Sequence, residues 1–133
     1  MSSSPTTVSS IKILNSSEEM SSRERIVKFV DSIDDILCDD EYSEELFVKM
    51  IEITIANGYR FKSMEPMPSI ADCANILIRD QQEFPENSKM YHYYNAMVLW
   101  FVMKGFEKIN ATPEHISTME GKMKESIQNF KRN

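Results

Sequence analysis

Residues 91–109 read YHYYNAMVLWFVMKGFEKI, and their reading decides the fold. At the centre, residues 96–103 are eight apolar residues without a break. Set at about 100° per residue, they occupy every face of a helix. A helix that is apolar on all sides belongs in a protein interior or in a membrane. Crossing a bilayer takes about 20 apolar residues. This run is shorter, with Lys89 and His92 before it and Lys104, Glu107 and Lys108 after it. A buried strand of the same length has the same periodicity, but Met, Leu and Ala favour the helix. The apolar pattern also continues outward through Met90, Tyr94, Phe106 and Ile109. The expectation is a central helix over residues 89–109, buried all round, in a protein with no membrane segment.

Four amphipathic segments are available to wrap it. Ser21 with Glu24 three positions on has the pattern of a capping box, in which each residue satisfies a backbone N–H of the other. A helix follows to about residue 38, with Ile26, Phe29, Val30, Ile33, Ile36 and Leu37 on one stripe. The acidic residues 39–42 separate it from a second helix over residues 43–56, which buries Leu46, Phe47, Met50, Ile51, Thr54 and Ile55. Asn57-Gly58 is expected to stop that helix in the left-handed conformation glycine tolerates. Two prolines punctuate residues 62–68. Ser69 and Asp72 then cap a third helix, to about residue 82, with a stripe of Ile70, Cys73, Ala74, Leu77 and Ile78. After the central helix, Asn110 is the expected stop. Thr112-Pro113-Glu114 starts the last helix, with a hydroxyl cap, proline at the first helical position and an acid in the first turn. Its narrow seam is Ile116, Met119, Met123, Ile127 and Phe130. The fold class is therefore all-α, a single bundle of about five helices around residues 89–109. Residues 1–20, rich in Ser and Thr, read as a flexible tail, and residues 21–133 as the helical domain.

Composition excludes several chemistries. The chain has 133 residues and three glycines, so the glycine-rich loops that cradle phosphates are missing. Cys38 and Cys73 have no CxxC spacing, and no secretory signal precedes them. They read as reduced thiols in an intracellular protein, cytoplasmic or nuclear. His92 and His115 stand on different helices outside any HExxH or Cys/His cluster, so no metal site is expected. No GxSxG elbow, EF-hand loop or ExxH pair is present. The expectation is a protein that is not an enzyme and carries no cofactor.

What remains are surfaces. Tyr91, Tyr93 and Tyr94 crowd the start of the central helix and cannot all face inward at helical spacing. Aromatics left beside an apolar groove are typical anchors for a protein partner. Phe84, Tyr91 and Tyr94 are the expected groove residues. Across residues 18–52 acids outnumber bases by about eight, and Asp39, Asp40, Glu44 and Glu45 form the expected acidic recognition face. The chain's net charge of −6 disfavours nucleic acid as a partner. The resulting expectation is a non-catalytic protein-interaction module, an adaptor or regulatory subunit, whose partner is another protein or a helical peptide. A homodimer through the C-terminal helix is the other protein arrangement its seam allows. The alternative is a nucleic-acid-associated protein using Lys122, Lys124, Lys131 and Arg132. A third class, a ligand-binding bundle, would need an enclosed polar pocket.

An apolar helix placed among amphipathic ones is similar in architecture to the Bcl-2-like domains, compact viral versions included. Asn57-Gly58-Tyr59-Arg60 resembles that family's NWGR motif with the order changed, so the resemblance is one of architecture. It implies a regulatory domain that binds a partner helix.

Overall fold

The computed structural model describes residues 12–14, 21–38 and 44–132. Among the described residues the chain is all-α, with no strand, as the periodicity predicts. It divides into two compact units, Met1–Arg60 and Phe61–Asn133.

The first unit contains α1 (Ser22–Leu37) and α2 (Glu44–Thr54), and α1 packs against α2 and the turn that follows it. Ser21 caps α1: its hydroxyl accepts from the Glu24 N–H at 3.1 Å and donates to the Glu24 carboxylate at 3.3 Å. Of the predicted stripe, Ile26, Phe29, Val30, Ile33 and Leu37 are buried, and Ile36 is half-exposed. Asp39 and Asp40 lie outside the described residues.

Helix α2 does not stop where Asn57-Gly58 predicts. The chain continues as one wide π turn over Ile55–Tyr59, and Arg60 takes the left-handed conformation at φ 55°. No glycine among the described residues has positive φ. Gly58 is needed for closeness instead: a Cβ there would stand 3.0 Å from Ile26 Cγ1 and 3.1 Å from its Cδ1. The carbonyls at this helix end, which have no intrahelical partner, are met by side chains. Arg25 donates to Gly58 O at 3.1 Å, and Asn57 donates to Ile53 O at 2.9 Å.

The second unit contains α3 (Ile70–Gln81), α4 (Lys89–Lys108) and α5 (Pro113–Arg132), and α4 packs against both of the others. Ser69 and Asp72 make the full capping box at the start of α3, and the Ser88 hydroxyl accepts from Tyr91 N–H at the start of α4. At the far end of α4, Asn110 turns left-handed at φ 55°. Ala111 N–H reaches back to Phe106 O at 2.9 Å and Asn110 N–H to Glu107 O at 3.2 Å, which is the double-bonded Schellman stop. Helix α5 begins at Pro113, as its sequence predicts. Its seam is used within the unit: Tyr93 meets Phe130 at 5.8 Å, and Asn95 donates to the buried Ser126 hydroxyl at 2.6 Å.

The expectation that α4 is buried all round needs correction. His92, Tyr93, Tyr94, Ala96 and Met97 are buried, but of residues 98–103 only Phe101 is; Val98, Leu99, Trp100, Val102 and Met103 are half-exposed. Ile78, placed on the buried stripe of α3, is 40 % exposed, and Gln81 is buried in its stead.

A candidate binding groove between α3 and the end of α4

Helices α3 and α4 run antiparallel, and two contacts fix their register. Gln81 Nε2 donates to Tyr91 O at 3.0 Å at one end, and Gly105 lies beside Ile70 at the other. Where Ala71 and Ala74 face Gly105 there is little side-chain volume, and the two helices leave an open groove of about 340 Å³. Its α3 wall is Ile70, Ala71 and Ala74; its α4 wall is Phe101, Val102, Gly105, Phe106 and Ile109. No charged or hydrogen-bonding side chain lines it.

The walls are held by aromatic packing. Phe101 sits edge-on to Phe61 at 5.7 Å and to Trp100 at 5.1 Å. Phe106 lies against the His115 ring at 5.8 Å, and Thr112 Oγ1 is 3.1 Å from His115 Nδ1. Ile109 closes the rim at 73 % exposure. Such a groove can dock an apolar surface by area and shape; it holds nothing to orient a polar substrate or move a proton.

The residues singled out in the sequence fall elsewhere. Tyr94, read as a groove residue, has 0 % exposure and packs against Phe84 at 5.3 Å; it is interior, because α4 is enclosed at this end. Tyr93 is interior as well, so of the three crowded tyrosines only Tyr91 is left partly exposed. Phe84 and Tyr91 are half-buried, at the end of the α3–α4 pair opposite the groove. Glu44 is half-buried and Glu45 exposed; with Val48, Lys49 and Glu52 they line a shallow depression on α2. Lys49 within it makes that face mixed rather than purely acidic.

The titratable groups are no better placed for chemistry. His92 is 8 % exposed. Burial pushes its pKa down from 6.5, while a hydrogen bond with the Asn87 carbonyl pulls weakly the other way. Burial, and secondarily the Asp72 charge, push the Cys73 thiol up, away from a reactive thiolate. Among the described residues no group of His, Cys, Asp and Glu could hold a metal ion, and no helix is long and apolar enough to cross a membrane. Lys122, Lys124 and Arg132 are exposed on α5, interspersed with the exposed Glu120 and Glu125.

One signal in the sequence does lead to the groove. Ala71 and Ala74 stand three apart on one face of α3, and Gly105 falls within a helix otherwise rich in large residues. Small residues on facing helices leave space that neighbouring side chains must fill or leave open. Compared with family models, curated proteins and solved structures, the chain matches none.

Proposed function

We propose that this chain is a non-catalytic helical interaction module that accepts the apolar face of a partner protein's helix in the groove between α3 and the end of α4. The observation that carries the reading is the lining, made of apolar side chains alone and bordered by the exposed Ile109. An amphipathic helix presents apolar anchors at three- and four-residue spacing, and an apolar groove is a recurring receptor for them. Preset aromatic walls favour such binding, since little side-chain freedom is lost on docking. Phe84 and Tyr91 offer a second contact, with Glu44 and Glu45 available to a basic partner. An adaptor or regulatory subunit working within the cell is the role that suits these features. An enzyme or a carrier of polar ligands is a poorer reading, because His92 and Cys73 do not line the groove.

The test compares wild type with two variants by size exclusion of cell extract and mass spectrometry of the co-eluting protein. Ile109→Glu places a charge on an exposed rim residue and should leave folding intact. Ala74→Leu fills the trough from the other wall. A partner retained by wild type and lost from both variants, with helicity unchanged by circular dichroism, is the expected result. A partner retained equally by all three overturns the assignment of the groove.

A further inference from the structure

We draw no further inference here: the strongest candidate, the apolar groove between α3 and the C-terminal half of α4 with its exposed Ile109 rim, belongs to the site already proposed, and nothing in the structure shows what covers it beyond the apolar helix face suggested above.

Discussion

The two ends of α4 differ more than their sequences do. Both are dense in large apolar and aromatic residues. The first end is closed: His92, Tyr93, Tyr94, Ala96 and Met97 are all buried, and Gln81, Phe84 and Phe130 reach in from the flanking segments. The second is open, because Ala71 and Ala74 on α3 and Gly105 on α4 itself provide little volume. Burial of an apolar helix is thus decided as much by the side chains it faces as by its own periodicity. The open end is where apolar surface is left uncovered.

Substitution should separate the two ends clearly. Tyr94→Ala removes a fully buried ring, and loss of a large aromatic from a packed interior costs about 3–5 kcal/mol. Phe106→Ala removes a half-exposed ring from the groove wall and should cost well under half as much, since that ring already meets water. Urea denaturation of the two variants measures the difference. Equal losses would mean that the groove end is as tightly packed as the other, and the contrast would fail.

The glycines sharpen the comparison with opposite signs. At Gly58 an added methyl would press on Ile26 at 3.0–3.1 Å, and Ile26 has 0 % exposure. Overpacking of this kind costs about 1–3 kcal/mol, only partly offset by alanine's better helix propensity. Gly58→Ala should therefore lower the urea midpoint. At Gly105 the new Cβ would meet Ile70 Cγ2 at 3.6 Å, an ordinary contact. Gly105→Ala should stabilise the fold by about 0.5–1 kcal/mol through helix propensity while narrowing the groove and weakening the partner's binding. Stability and binding moving in opposite directions is a result that damage to the fold cannot imitate. If Gly105→Ala strengthened binding, the trough would not be where the partner seats.

The same contrast explains what was legible in the sequence. Helices and their starts are, because start signals are local: Ser21, Ser69 and Pro113 each act on backbone within one turn, whereas the cap that Ser88 makes on α4 comes from the structure. The stop at Asn110 was local too. The stop at Asn57-Gly58 was misplaced, since a contact with Ile26, 32 positions earlier in the chain, decides what that glycine is for. The sequence points Tyr94 to a surface for a related reason: four aromatic or imidazole side chains in succession crowd any single stripe, and only the flanking helices can enclose them. The groove was the least legible feature, because it consists of volume that Ala71, Ala74 and Gly105 do not fill, and an unfilled space has no residue of its own to announce it.

The smallest expected effect concerns acid, and it belongs to the closed end. In an unfolded chain an imidazole titrates near 6.5; in the fold, burial holds His92 below that value. Between the two, the unfolded chain binds a proton that the folded one does not, so stability rises with pH across that window. The contribution from neutral, buried His92 is complete above about pH 6.5 and is lost as the pH falls through the folded value. His92 lies in the first turn of α4, so the turn between α3 and α4 should loosen first, ahead of the groove. Urea midpoints of wild type and His92→Gln between about pH 5 and 8 check this, and the variant should show the shallower slope. Amide exchange in the same range locates the change, with faster exchange expected around residues 87–92 and little difference around residues 101–109. Identical slopes in the two proteins would remove His92 as the source, and exchange that quickened first at the groove would reverse which end of α4 is the closed one.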